Sequence, residues 1–289
     1  MADYPRTAVE LRDWFATEAA CREYLQRLRW PDGVRCPDCV SMKIWPMKPP
    51  FYRCSQCGYD FTVTAGTLFT DTHKPLRLWF EAIWYVTNQK LGVSALGVQR
   101  VLGLGSYRTA WNWLHKLRRA MVRGGRDRLA GVVQIDETFI GGPQPGKRGR
   151  GAAGKALVLI AVQTQGRKIG RIRLARIADA SAASLEPAVR QAVEPGTCIQ
   201  TDGWVGYSGV KALGYKHQVI RPANELGENL LPWVNRVASL LKRWLLGTHQ
   251  GSFAPAHLQS YLDEFTFRFN RRSSRSRGLV FRRLLEQSV

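Results

Sequence analysis

Four of the six cysteines stand as two pairs, Cys36 and Cys39 in CPDC and Cys54 and Cys57 in RCSQCG. Each C-x2-C pair forms a knuckle turn that aims two thiolates at one point, and the 14-residue gap between the pairs is that of a zinc ribbon. Gly58 lets the chain leave the second knuckle. Sulfur fills all four positions and leaves none for water, so the spacing predicts a structural Zn2+. A redox pair or buried free thiols would not call for two matched pairs at this distance. Cys21 and Cys198 lie in apolar helix and strand contexts and read as ordinary buried thiols.

A ribbon occupies only a small part of 289 residues, and 45% apolar content leaves enough for a larger core beside it. Lys and Arg number 43 against 22 acidic residues, a net charge of +21. An excess of that size predicts a polyanionic partner, and double-stranded DNA is the simplest. No helix pairs a strongly basic face with a broad apolar one, and no apolar run approaches the roughly 18 residues of a membrane span. Met1 to Ala8 lacks the apolar core of a signal peptide, so the expected location is the cytoplasm, where disulfides are rare.

Residues 1–30 read as a helical segment, with Ala8 to Leu28 amphipathic, and 31–70 as the ribbon, closed by a strand and turn at Phe61 to Thr67. Leu76 to Asn88 is an aromatic-rich helix suited to core packing. Val93 to Val122 reads as two helices joined at Gly103-Leu104-Gly105, so 71–123 is predicted to carry a helix-turn-helix. In its second helix Trp113, Leu117 and Ala120 face inward. Arg108, Lys116, Arg119 and Arg123 stay wet, and Arg108, Lys116 and Arg119 are the candidate DNA contacts.

Gly124 to Arg128 reads as a linker into a catalytic domain at 129–250. Val132 to Thr138 (VVQIDET) and Thr197 to Asp202 (TCIQTD) are two strand-like runs that each lead to a carboxylate, Asp136 and Asp202. Between and after them the pattern predicts strands at Ala156 to Thr164, Ile169 to Ile177 and His217 to Ile220. Helices are predicted at Ala182 to Val193, Trp204 to Leu213, and from Pro232 to just before Gly247. Three strands followed by alternating helices suggest a mixed sheet covered on both faces. Two carboxylates brought together suit a hard divalent cation, Mg2+ or Mn2+. Glu137 points to the opposite strand face from Asp136 and is left out of the site, as is His217. Gly149, Gly154 and Lys155 fit the spacing of a phosphate-cradling loop, but Ala156 replaces its Ser or Thr and a strand follows where a helix is needed. Residues 251–289 read as a basic helical tail in which Arg268, Arg271, Arg272, Arg275 and Arg277 cluster. Arg271 and Arg272 are its candidate phosphate contacts, a solvated arm being the other reading.

The segments RWPDGVRCPDC, YRCSQCGYDFTVTAGTLF, QIDETFIGG, TDGWVGY, SLLKRWLLGTHQG and HLQSYLDEFTFRFNRR run in one order over nearly the whole chain. Together they resemble insertion-sequence transposases of the ISXO-type DDE-like family with an amino-terminal zinc ribbon. The element order resembles the ribonuclease H-like fold, in which the first and fourth strands lie side by side. The resemblance therefore implies an α/β chain with a ribonuclease H-like mixed sheet preceded by the ribbon and the helix-turn-helix. It implies that Asp136 and Asp202 are metal ligands, that Asn235 occupies the place held by Glu in many members, and that Lys242 is the family's basic residue. Glu225 and Glu228, in the preceding loop, are rival third ligands. The implied activity is metal-dependent cleavage and transfer of DNA strands at the element's ends, with target DNA and further copies of the chain as partners and no small-molecule substrate. The expected setting is a bacterial nucleoid. Two alternatives stay open: a catalytically inactive DNA-binding derivative, which the amide at 235 would suit, and a nuclease that cuts without joining.

Overall fold

The computed structural model describes residues 3–141, 155–221, 230–251 and 254–289. The chain forms two compact units, Met1–Arg123 together with Ser274–Val289, and Gly124–Ser273.

In the first unit, α1 (Ala8–Trp14) and α2 (Glu18–Arg29) replace the single helical stretch expected over 8–28. The break has a local cause: Thr17 is extended and its side chain accepts from the Ala20 N–H, as Thr7 does from Glu10 at the start of α1. The ribbon follows as an antiparallel sheet of β1 (Ile44–Pro46), β2 (Phe51–Cys54) and β3 (Asp60–Thr62). Its core is small, with Cys36, Cys54 and Phe61 buried among Trp30, Ile44 and Tyr52. α3 (Leu76–Asn88) has the predicted bounds, and its aromatics Trp79 and Phe80 are buried. α4 (Ala95–Leu102) and α5 (Tyr107–Ala120) are capped by Ser94 and Ser106, and Gly103 ends α4 in the left-handed region at φ 62°. Trp113 stacks on Trp79 with ring centroids 3.7 Å apart. Leu117 and Ala120 are buried as expected, and so is Arg118, at 2% exposure.

The second unit is built on a mixed sheet of β4 (Val132–Ile140), β5 (Ala156–Gln165), β6 (Lys168–Ile177), β7 (Cys198–Thr201) and β8 (Lys216–Val219). The strand order is β6-β5-β4-β7-β8. β4, β5 and β6 pair antiparallel, whereas β7 joins β4 and β8 joins β7 in parallel. Parallel neighbours need crossovers, supplied by α6 (Ala182–Ala192) with β7 and by a 3-10 helix at Val205–Leu213 before β8. Alternation divides the sheet into two cores. Val133, Ile135, Leu159 and Ile199 pack toward α6, while Ile140, Val158, Ile160 and Val162 lie under α7 (Pro232–His249) and α8 (Leu258–Asn270). β5 feeds both cores, which is why its residues read as an unbroken apolar run.

Three boundaries differ from expectation. β4 runs on to Ile140 because its pairing with β5 continues to Ala156, so Asp136 is the fifth of nine strand residues rather than a strand end. α7 passes through Gly247 and ends at His249, with Gln250 left-handed at φ 52°; Trp244 and Leu245 are buried in the last turns and hold them. The 205–213 stretch is 3-10 rather than α. Residues 142–154, with Gly149 and Gly154, and Glu225 and Glu228 lie outside the described residues.

After α8 the chain returns to the first unit as α9 (Arg277–Glu286). Its apolar residues Val280, Phe281, Leu284 and Leu285 are buried there. Arg282 pairs with Asp3 at 3.2 Å, and the Leu68 N–H donates to the Ser288 carbonyl at 3.0 Å. The apolar face of α9 is therefore part of the first unit's core. Among the described residues no helix is long and apolar enough to cross a membrane.

Candidate active site and metal centre

The four ribbon sulfurs lie within 4.8 Å of one another, with Cys36 to Cys57 at 3.7 Å and Cys39 to Cys54 at 3.5 Å. A tetrahedron with Zn–S bonds of about 2.3 Å has edges of about 3.8 Å, so the donor set fits structural Zn2+. Both knuckles close in the same way: the Val40 N–H donates to the Cys36 carbonyl at 3.0 Å and the Gly58 N–H to the Cys54 carbonyl at 2.9 Å. The closing residue is left-handed in each, which is free for Gly58 but strained for Val40 at φ 62°. Burial opposes ionisation of Cys54, but main-chain N–H groups of Cys57 and Gln56 outweigh it and bring its thiol to about 7. Beside it the Tyr59 N–H lowers the Cys57 thiol, but burial and the neighbouring thiols push it up to about 12, so the thiolate favoured before any cation binds is that of Cys54.

In the second unit, β4 and β7 run parallel in the register Val132 with Cys198, Val133 with Ile199 and Gln134 with Gln200. Asp136 stands two residues beyond Gln134 within β4, and Asp202 two beyond Gln200, one residue past the end of β7. β4 and β7 are neighbours about 4.8 Å apart, and their last register pair, Gln134 with Gln200, precedes both aspartates by two residues. Asp136 is half-buried and Asp202, just past Thr201, is exposed. Each carboxylate is oriented by the chain after it: Asp136 accepts from the Glu137 N–H at 2.8 Å and Asp202 from the Trp204 N–H at 3.0 Å. The second turn requires Gly203, whose φ is 87° and where a Cβ would come within 2.6 Å of Val219 Cγ1.

The buried Tyr207 hydroxyl senses both aspartates. Its pKa is raised well above the ordinary value by burial first, then by the charges of Glu137, Asp136 and Asp202. Glu137 does point to the other sheet face, where it accepts the Tyr207 hydroxyl hydrogen bond. His217 bonds to Thr201 at 2.9 Å on that side of β7, and burial lowers its pKa.

α7 lays Val234, Val237 and Leu241 on the sheet. Asn235 is exposed in the first turn and Lys242 is exposed two turns on. The start of α7 is tied to the sheet beside the aspartates, because the Trp233 N–H donates to Gln134 Oε1 at 3.1 Å. Asn235 follows two residues later. Among the described residues the cysteines are the sole group of three or more His, Cys, Asp or Glu side chains placed to share one ion, so no third carboxylate joins Asp136 and Asp202 there.

Arg108 and Arg119 are exposed on α5, eleven residues apart and so on one stripe of the helix. Lys116 is exposed but tethered, 3.5 Å from the Leu68 carbonyl and 6.0 Å from the Trp79 ring. Arg271 and Arg272 are engaged by their own unit. Arg271 lies 3.9 Å from the centre of the Phe267 ring and Arg272 4.1 Å from that of Phe269. Arg272 also donates to the carbonyls of Ile169, Gly170 and Phe269, fastening the end of α8 to the β5–β6 hairpin. Two residues of this region escaped sequence reasoning, Gln134 and Tyr207. For Gln134 a signal existed, a polar residue at an inward position two before Asp136.

A family model described as the ISXO2-like transposase domain matches residues 128–270, and one described as the transposase zinc-ribbon domain matches 16–60. An "Uncharacterized protein in transposable element ISH50" of Halobacterium salinarum is 26% identical, with 88% of this chain and 91% of that protein aligned. Among solved structures, a simian T-cell lymphotropic virus intasome in complex with PP2A regulatory subunit B56 gamma matches over 65% of each chain at 14% identity, with a TM-score of 0.32. The two family matches take in about two thirds of the chain, each falling on the unit whose geometry agrees with it. The chain belongs to the zinc-ribbon transposases of insertion sequences that carry an ISXO2-like transposase domain.

Proposed function

We propose that the chain binds the ends of its own mobile element and cuts and joins DNA strands there, using Mg2+ or Mn2+ held by Asp136, Asp202 and Asn235. The observation that carries this is that Asp136 and Asp202 each follow by two residues the last register pair of the adjacent parallel strands β4 and β7, inside the region matched by the transposase domain. The strand order, with three antiparallel strands, two parallel ones and helices on both faces, supports a ribonuclease H-like catalytic domain. The α4–α5 pair supports a helix-turn-helix, with Arg108 and Arg119 as phosphate contacts. Two element ends and a target call for at least two copies of the chain acting on DNA in the cytoplasm, at the nucleoid.

Asp136 and Asp202 enter the reaction already aimed, because main-chain N–H groups fix one oxygen of each. Bound Mg2+ or Mn2+ supplies Lewis-acid chemistry, stabilising charge on the phosphate and easing deprotonation of water or a 3′-hydroxyl. Asn235 offers a neutral amide oxygen, so the scissile phosphate contributes more of the negative charge around the ion than it would beside three carboxylates. Lys242 faces that phosphate charge from two turns along α7 and neutralises part of it.

The test is a plasmid mobility assay in which the reading frame and its native flanks surround a resistance marker. The expected result is new insertions bounded by short direct repeats with the intact chain, and a loss of at least 100-fold with Asp136→Asn, in line with removing a charged group that acts on the transition state. The exposed amide at 235 favours a second reading, an inactive DNA-binding derivative. No insertions from either form, with binding to the ends retained, would establish that alternative.

A further inference from the structure

Gln134 is a polar residue at 7% exposure on the sheet face that α7 covers, and both ends of its carboxamide are used. Its Oε1 accepts from the Trp233 N–H at 3.1 Å, and its Nε2 donates to Gln200 Oε1 at 3.4 Å. Gln200 in turn donates to Gln218 Oε1 at 3.0 Å. A chain of amides thus runs from the first turn of α7 across β4, β7 and β8, each bond polarising the next.

α7 needs this contact because its own sequence supplies no cap. Leu231 precedes it without a side-chain acceptor, Pro232 has no N–H, and the helix's internal ladder begins with Asn235 donating to the Leu231 carbonyl. The Trp233 N–H is therefore orphaned within the helix and satisfied from the sheet. Gln134 stands two residues before Asp136, Gln200 two before Asp202, and Trp233 two before Asn235. All three proposed ligands are thus offset by the same two residues from one hydrogen-bonded cluster.

We propose that Gln134 is a positioning residue, which caps α7 from the sheet and holds β4, β7 and α7 in the single register that brings the three ligands to one ion. The proposal rests on the ion site described above. Only a carboxamide serves here, since it must accept from a helix N–H and donate to Gln200 at once; glutamate keeps the acceptor alone, and methionine keeps the volume with neither.

The test uses the full chain with Mn2+ alone as probe, reading Mn2+ affinity by titration calorimetry and amide exchange at Trp233. Gln134→Met is expected to speed exchange at Trp233 and to weaken Mn2+ binding, each by about 10-fold, 1.4 kcal/mol of lost coupling, while leaving DNA binding through α5 unchanged. Gln134→Glu should restore protection at Trp233, because the carboxylate still accepts. If Gln134→Met does not fold, Gln200→Met decides: it breaks the β7 link and should weaken Mn2+ binding with Trp233 still protected. Faster exchange at Trp233 with Mn2+ affinity unchanged would make Gln134 a helix cap only and overturn the proposal. Asp136→Asn separates the two levels. If it abolishes Mn2+ binding while Gln134→Met does not affect it, the positioning role alone falls; if Asp136→Asn leaves binding unchanged, the ion site falls and the positioning role with it.

Discussion

Replacing Phe281 by alanine should disable a part of the molecule remote from it in sequence. The ring is fully buried in α9, with Phe15, Phe80 and Trp84 at centroid distances of 6.1, 5.9 and 5.6 Å. Neighbours on three sides belong to α3 and the α1–α2 region, which cannot collapse into the space without moving each other. Core Phe→Ala changes of this kind cost about 3–5 kcal/mol. The first unit comprises about 140 residues, for which the unfolding entropy is about 0.3 kcal/mol per degree, so its melting temperature should fall by about 10–17 °C. Hydrogen exchange followed by mass spectrometry on the intact chain localises the damage. Protection should be lost chiefly across residues 3–123, the ribbon and α3 to α5 included, and much less across 124–273. A melting change below about 2 °C, or protection lost mainly within 124–273, would refute the assignment of α9 to the first unit's core.

Two further outcomes follow from the metal centre and from α5. Chelation of Zn2+, or Cys36→Ser, should unfold the 36–62 sheet and remove its far-UV circular dichroism signal, since structural zinc contributes on the order of 10–16 kcal/mol in small ribbons whose core is as slight as this one; an unchanged spectrum and melt would count against zinc. Arg108→Ala with Arg119→Ala should weaken duplex binding and lower the slope of log affinity against log salt by roughly 2, about 0.9 for each phosphate that is no longer neutralised. An unaltered slope would remove α5 from the DNA-binding surface.

The features legible in the sequence share a local cause. Thiolate spacing located the ribbon, short apolar and β-branched runs located five strands, and Gly103-Leu104-Gly105 marked the joint between α4 and α5. Asp136 and Asp202 were visible because each interrupts an apolar run. Apart from the local break at Thr17, what was missed depends on partners far away in the chain. The Thr17 cap was written in the sequence, but a continuous amphipathic pattern across it hid the break. The extent of β4 is decided by β5, and the survival of α7 past Gly247 by the burial of Trp244 and Leu245. Composition cannot reveal that Arg272 also donates to the carbonyls of residues 169 and 170. Gln134 passed unremarked for the same reason, since its acceptor and donor partners lie 66 and 99 residues away.

Residues 124–273 interrupt the first unit in sequence, which has a bearing on how the protein is made. During synthesis the whole 150-residue insert leaves the ribosome after α5 and before α9. At 5–20 residues per second, that interval lasts roughly 8–30 s. Throughout it the second unit is being made, while the aromatic cluster of Phe15, Phe80 and Trp84 waits without Phe281. A chain cut short before residue 277 would carry every proposed ligand and yet lack the helix that completes its other half. Translation of the insert thus acts as a timer: the first unit's core stays open for the time needed to read it, and closes only after the last residue of the second unit, Ser273, has been made.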